Sequence, residues 1–506
     1  AIAFTLAVVL PREGIIGGGG FMVMYDHETK KPYSIDYREK APLLSTKDMY
    51  LNQDGSFNDQ MLSTFGYLSI GVPGTVAGLW DVHKKFGSLP WSVLLEDAIN
   101  LAEEGFEITP FLADILFKYN EKLSFFDETK NIFQASYPDF KGELLIQTDL
   151  AKTLKIISEK GRDGFYKGSV ANKIAKAMKD NNGLITKSDL ENYNPVWRKP
   201  LTSQYRGNNV ITMGPPSSGG LHIIQMLNIL ENYDLKEINH NSKEYINLLT
   251  EVMKYAYSDR SKYLGDPDFY DVPVEKITSK NYGKRIFNDI EIGQSKPVGE
   301  VKPGMYLETE SHETTHFSVA DADGNIVSST YTLNSTFGSG VVIKGTGIVM
   351  NNEMDDFSAA PGIPNQFNLL GAEANEIAPN KRPLSSMTPT IVMKNNELFF
   401  TTGSPGGSRI ISAVLQSILN IIDFDMNLEE TTKARRIHHQ WFPDILEVEY
   451  FIDNKIRKEL EDINYSIVIT DPLTCLQLIM YKDKKFYGYG DFRRVDAYAS
   501  GEINDR

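Results

Sequence analysis

Apolar residues recur three and four apart through most of the first three-fifths of the chain, the spacing that gives a helix one buried face. The pattern predicts helices in "GTVAGLWDVHKKFG" (74–87), "SVLLEDAINLAEEG" (92–105), "LAKTLKIISEKG" (150–161), "SVANKIAKAMKD" (169–180), "LHIIQMLNILENY" (221–233) and "EYINLLTEVMKYAYSDRSKYLG" (244–265). Gly or Asn near several of their ends supplies stop signals. An opening strand pair is expected in "GGGGFMVMYDHETKKPYSIDYR" (17–38), and "AIAFTLAVVLPREG" (1–14) reads as the remainder of a buried helix. Its apolar run has no basic leader or initiator Met, so it is not read as a signal peptide. The period changes after residue 314. "HFSVADADGNIVSSTYTL" (316–333) reads as a hairpin turning at Asp323-Gly324, a dipeptide that favours two-residue hairpin loops. That loop would set Thr332 opposite Thr315. Strands in "IVMKNNELFFTTG" (391–403) and "LIMYKDKKFYGYG" (478–490) alternate with helices over 409–422 and 428–436. The change falls at the loop 299–313, with no repeat, low-complexity tract or linker, which predicts one domain built from two halves.

The 506 residues are 41% hydrophobic, enough for a large core. With 52 Lys and Arg against 67 Asp and Glu the net charge is -15, which disfavours a nucleic-acid partner. The single cysteine, Cys475, excludes an internal disulfide framework and a cysteine metal cluster, and reads as a buried small apolar residue. No apolar run approaches the roughly 18 residues of a membrane span.

"SHETTHFS" (311–318) contains His312-Glu313-Thr314-Thr315-His316, the H-E-x-x-H pattern of zinc metalloproteases. That chemistry needs both imidazoles on one helix, with the Glu as general base. Pro303, Gly304 and the β-branched Thr pair predict a loop entering a hairpin instead, so no metal is expected. Other polar clusters follow: "TYTLNSTFGSG" (330–340), "NNEMDDFS" (351–358), "NKRPLSSMTP" (380–389) and "TGSPGGSRI" (402–410). Gly406-Gly407 ahead of a helix offers paired N–H groups for an oxyanion. Glu353, Asp355 and Asp356 flank the apolar Met354 and Phe357, which argues for partial burial. Gly17 to Gly20 lack the Gly-Lys-Ser/Thr of a phosphate loop and read as a place of close backbone packing. Together the clusters resemble a site for an amino acid: acids for an ammonium, hydroxyls and an arginine for a carboxylate, N–H groups for an oxyanion. No Gly-x-Ser-x-Gly elbow is present. A threonine becomes a nucleophile when it starts a chain, because its own α-amine, of pKa roughly 7.7 to 8.0, serves as base. Thr314 would need a cut before it.

Ten motifs in order, "DYREKAP", "GVPGTVAG", "PPSSGG", "YLGDPDF", "TTHFSVADADGN", "TYTLNSTFG", "NNEMDDFS", "PNKRPLSSM", "GSPGGSR" and "HHQW", run over nearly the whole chain. On them the sequence resembles the gamma-glutamyltranspeptidases, members of the N-terminal nucleophile hydrolases. The resemblance implies a four-layer αββα sandwich from one precursor, cut between Glu313 and Thr314 into a large subunit (1–313) and a small one (314–506) that stay associated. It implies Thr314 as nucleophile, supported by Thr332. Arg38, Ser385 and Ser386 would hold the α-carboxylate of the γ-glutamyl group, and Asn334, Glu353 and Asp356 its α-ammonium. Gly406 and Gly407 would form the oxyanion hole. Glutathione or other γ-glutamyl compounds would be donors, water and amino acids or dipeptides acceptors, and no cofactor is required. Periplasmic or secreted location follows from the resemblance alone. The neighbouring alternatives are a poly-γ-glutamate depolymerase and a cephalosporin acylase, and the complete amino-acid clamp argues against the acylase. Three positions depart from familiar bacterial members: Glu353 stands where some have glutamine, Phe367 where tyrosine is frequent in the lid "PGIPNQFNLLG" (361–371), and Arg435 where proline precedes Arg436.

Overall fold

A computed structural model describes residues 1–56, 58, 61–303, 315–358 and 372–501. The cleavage junction Glu313–Thr314, His312 and the lid residue Phe367 therefore lie outside the described residues. Eleven strands build two antiparallel sheets. The first takes β1 (Gly19–Asp26), β2 (Lys31–Asp36), β3 (Val196–Arg198), β6 (Thr315–Ala320) and β7 (Ile326–Thr332), in the order β3-β2-β1-β7-β6. The second takes β4 (Leu201–Tyr205), β5 (Asn208–Thr212), β8 (Thr390–Lys394), β9 (Glu397–Gly403), β10 (Gln477–Lys482) and β11 (Lys485–Gly490), in the order β11-β10-β9-β8-β5-β4.

Strand β1 shows why the layers stack as they do. Seven of its eight residues are buried, so both of its faces are covered. Phe21, Val23 and Tyr25 point into a core shared with Val392 and Phe400 of the second sheet. Met22 and Met24, on the opposite face, pack against the helices α1 (Ile2–Val9), α2 (Thr75–Phe86), α3 (Glu96–Glu104), α4 (Thr148–Lys160) and α5 (Gly168–Asp180). The second sheet carries α6 (Gly219–Leu230), α7 (Lys243–Tyr263) and α8 (Arg409–Ile422) on its outer side, with Leu227, Val252 and Val414 in the same core as Val392. The result is the αββα sandwich.

Each helix inferred from apolar spacing is present, α6 and most of α7 being buried on every side rather than on one face, and α8 spans the expected 409–422. Two expectations need correction. The helix expected over 428–436 is Leu428–Lys433, because Ile437 pairs with Val448 as a strand and Arg436 turns its guanidinium to Asp491 at 2.5 Å. The hairpin loop is not the two-residue Asp323-Gly324 turn. Asp321 to Asn325 forms a five-residue loop, closed by Asp321 N–H to Asn325 carbonyl at 3.1 Å and Asn325 N–H to Asp321 Oδ1 at 2.8 Å. The register moves by one, so Thr315 faces Tyr331 rather than Thr332. Helix spacing also hid β3, β4 and β5; in β4 Thr202 and Gln204 face outward.

Gly17 to Gly20 are where backbones meet. A Cβ on Gly18 would lie 1.9 Å from the Thr332 carbonyl oxygen, and one on Gly17 at 1.9 Å from that of Val349. The close-packing reading of these glycines holds.

Candidate active site

The residues expected to form the amino-acid clamp come from both parts of the chain. Arg38 follows β2 by two residues, and its N–H is fixed by Asp36 Oδ1 at 2.9 Å. Its guanidinium donates to Glu353 and Asp356, and to the carbonyl oxygens of Pro383 (3.4 Å) and Leu384 (3.2 Å). Those carbonyls lead directly into Ser385-Ser386. One planar fork thus ties Glu353 and Asp356 to the backbone just before Ser385, which lysine could not do. Glu353 and Asp356 belong to a short 3-10 turn, Glu353–Asp356, held by Asn351. Asp355 turns away and accepts from Ser63 Oγ at 2.6 Å.

This cluster carries more acid than base. Glu39 is fully buried, with Oε2 3.5 Å from Arg38. Burial, against the pull of Arg38, lifts its carboxyl to about 7. Burial likewise raises Glu353 well above the carboxylate range and raises Asp356. For Arg38 burial works against the charge, but Glu353, Asp356 and Glu39 outweigh it and raise its pKa. A further cation beside these acids, such as an ammonium, would favour their charged forms.

Thr332, 3% exposed, ends β7, and its Oγ1 accepts the Asn334 N–H at 2.7 Å. Asn334 sits at φ +76°, a left-handed conformation that asparagine tolerates, and its Nδ2 donates to the Asn352 carbonyl at 3.1 Å. Ser385 is sewn to the first half: its N–H donates to Pro216 at 2.9 Å, and its carbonyl accepts from Ser218 N–H at 2.7 Å. Gly406 (φ +121°) and Gly407 (φ +55°) turn the chain into α8, so a side chain at either would be strained. Their loop lies beside β6: Gly403 leaves the space that the His316 ring fills, its Cβ position being 2.1 Å from Cε1. Pro405, Thr315 and His316 line one cavity of about 320 Å³.

His316 answers the zinc question for the described part of the motif. It lies in a strand, with Nδ1 at 2.8 Å from Thr330 Oγ1 and Nε2 at 3.1 Å from Ser318 Oγ. Burial pushes it down to about 3, so it stays neutral. Cys475 is buried and burial raises its thiol to about 12, as fits a packing residue. Arg435 stacks over the Phe451 ring at 4.4 Å.

The gamma-glutamyltranspeptidase family profile matches residues 1–501. The chain belongs to the gamma-glutamyltranspeptidase family. It is 46% identical to the glutathione hydrolase proenzyme of Escherichia coli, over 99% of this chain and 87% of that protein. It is 46% identical to the Pseudomonas aeruginosa glutathione hydrolase proenzyme over 92% and 83%. Among solved structures, the cephalosporin acylase of Bacillus halodurans superposes with a TM-score of 0.85 at 26% identity, over 99% of this chain and 90% of that one. The Helicobacter pylori gamma-glutamyltranspeptidase gives 0.58 at 46% identity, over 60% and 87%. This gamma-glutamyltranspeptidase is therefore an enzyme on an N-terminal nucleophile hydrolase fold. No helix among its described residues is long and apolar enough to cross a membrane.

Sequence reading missed Glu39, Asn351, Ser218 and Arg260, which support the clamp. "PPSSGG" flagged Ser218 without a role, and Arg260 was hidden among the polar residues of a long helix.

Proposed function

We propose that the chain cleaves itself between Glu313 and Thr314 and then transfers γ-glutamyl groups, with glutathione as donor, through an ester on Thr314. Its relatives' description as proenzymes supports the cut. The observation that carries the substrate assignment is the Arg38 fork, which joins Glu353, Asp356 and the approach to Ser385 in one buried cluster.

The chemistry runs as follows. The α-amine of Thr314 takes the hydroxyl proton as Oγ1 attacks the γ-carbonyl carbon. The N–H groups of Gly406 and Gly407 receive the oxyanion. Collapse breaks the amide C–N bond, and the proton held on the α-amine leaves with the departing amine. Water, or an amino acid or dipeptide amine, then attacks the ester and restores the Thr314 hydroxyl. Arg38, Ser385 and Ser386 hold the α-carboxylate throughout, and Asn334, Glu353 and Asp356 the ammonium. Thr332, one residue past the Thr315–Tyr331 pair, supports the nucleophile. The chemistry requires no cofactor, and an exported location is consistent with the family.

Expression in an unrelated host should give two fragments, the smaller beginning Thr-Thr-His-Phe, and release of nitroaniline from a γ-glutamyl p-nitroanilide. Thr314→Ala should lose both cleavage and turnover, while Thr314→Ser keeps part of each. Full activity in a chain that remains uncut would refute the mechanism.

A further inference from the structure

Behind Ser385 and Ser386 lies a second buried cation that the scheme above does not use. Arg260, near the end of α7, is 3% exposed. Its Nε donates to Ser218 Oγ at 2.8 Å, and its Nη2 donates to Ser386 Oγ at 3.2 Å. Ser218 Oγ in turn donates to the Ser385 carbonyl at 2.8 Å, beside the bond from the Ser218 N–H. One guanidinium from the first half thus sets both clamp serines, one directly and one through Ser218.

The direction of these bonds matters. A serine hydroxyl has one hydrogen to give and two lone pairs to offer. Ser386 Oγ spends a lone pair on Arg260, and a guanidinium accepts nothing in return. Its own hydrogen is therefore left to point away from Arg260. A carboxylate, which only accepts, is the group that such a hydroxyl suits. Burial lowers the Arg260 pKa to about 9, with Asp356 pulling it up and Arg38 pushing it down, so both clamp charges are felt at Arg260.

We propose that Arg260 is a positioning residue that orients the Ser386 hydroxyl as donor to the substrate α-carboxylate, and so makes the site demand a free α-carboxylate. The inference rests on the γ-glutamyl reading of the site. It predicts a selective defect, because only substrates that own the carboxylate use the oriented hydroxyl.

The test compares the cleaved wild type with Arg260→Gln and Arg260→Lys on three p-nitroanilides: γ-glutamyl, 4-aminobutyryl (lacking the carboxylate) and glutaryl (lacking the ammonium). Arg260→Gln should raise KM for the γ-glutamyl compound roughly ten- to a hundred-fold with kcat little changed, the range of one hydrogen bond to a charged group. Its kcat/KM on the 4-aminobutyryl compound should match the wild type, while the preference for a substrate ammonium persists. Arg260→Lys should recover part of the KM. Equal losses on the γ-glutamyl and 4-aminobutyryl compounds, or no loss on the former, would overturn the role. Should Arg260→Gln fail to mature, Arg260→Lys carries the comparison: a smaller rise in KM confined to the γ-glutamyl compound supports the role, and equal losses on both compounds or no loss on either overturn it. A wild type inert toward the γ-glutamyl anilide would instead refute the site reading itself.

Discussion

Arg38 is as buried as Glu39 and Glu353, two of the carboxylates it holds, and removing it would strip more than the proposed substrate contact. Arg38→Ala would leave the Glu39, Glu353 and Asp356 carboxyls together without their shared cation. Breaking a buried ion pair from one side costs about 3–5 kcal/mol of stability. Losing the charged partner of a bound carboxylate costs about 2–5 kcal/mol in kcat/KM. Arg38→Ala should therefore lower both the melting temperature and kcat/KM. A normal value of either, from thermal melts and steady-state rates on the cleaved enzyme, would contradict the account. At this scale the sequence was most legible for groups with unusual chemistry. A paired glycine, a double serine and acids flanking apolar residues stood out of their surroundings. Glu39 did not, because next to Arg38 it looks like an ordinary surface ion pair, and only tertiary packing buries it.

Among the elements, the hairpin β6–β7 was foreseen and its register was not. An Asp-Gly signal marks a turn, but side chains decide how many residues the turn takes, and here Asp321 and Asn325 bond across a five-residue loop. The short strand β4 escaped because Ser203, on the same face as Leu201 and Tyr205, breaks the apolar alternation. The same hairpin supplies a sharp packing test. His316 of β6 reaches across to β9, where Gly403 leaves its ring room, so the two sheets touch beside the loop that carries Gly406 and Gly407. Gly403→Ala would drive a methyl into the imidazole. Overpacking of this kind costs about 1–3 kcal/mol. The expected result is a lower denaturant midpoint and slower appearance of the two fragments on a gel. A variant with wild-type stability and processing would mean that the sheets slide freely there.

Across the whole molecule, the change of pattern near residue 314 marked a boundary in the sequence but not in space. β1 pairs with β7 along seven positions, and β5 pairs with β8 along four. Both sheets therefore contain strands from before and after the proposed cut. The layer order itself was not legible in the periodicity, which distinguishes helix from strand without saying which sheet a strand joins. Fragments 1–313 and 314–506 should co-elute on size exclusion in native buffer and separate only in denaturant. Spontaneous separation would rule out this interleaved arrangement.

The β1–β7 seam has one more consequence. Ser329 Oγ reaches the Phe21 carbonyl across 308 positions of chain. While the chain is whole, the two strands are tethered, and the tether keeps each at a high effective concentration for the other. Were the proposed cut to make Thr314 a chain terminus, the tether would be gone, and a molecule that opens would have to find its other half by diffusion. On the proposed scheme the peptide bond before Thr314 does a second job before it is broken: it introduces the partners, after which the enzyme would keep its shape on the strength of a meeting that dilution makes hard to repeat.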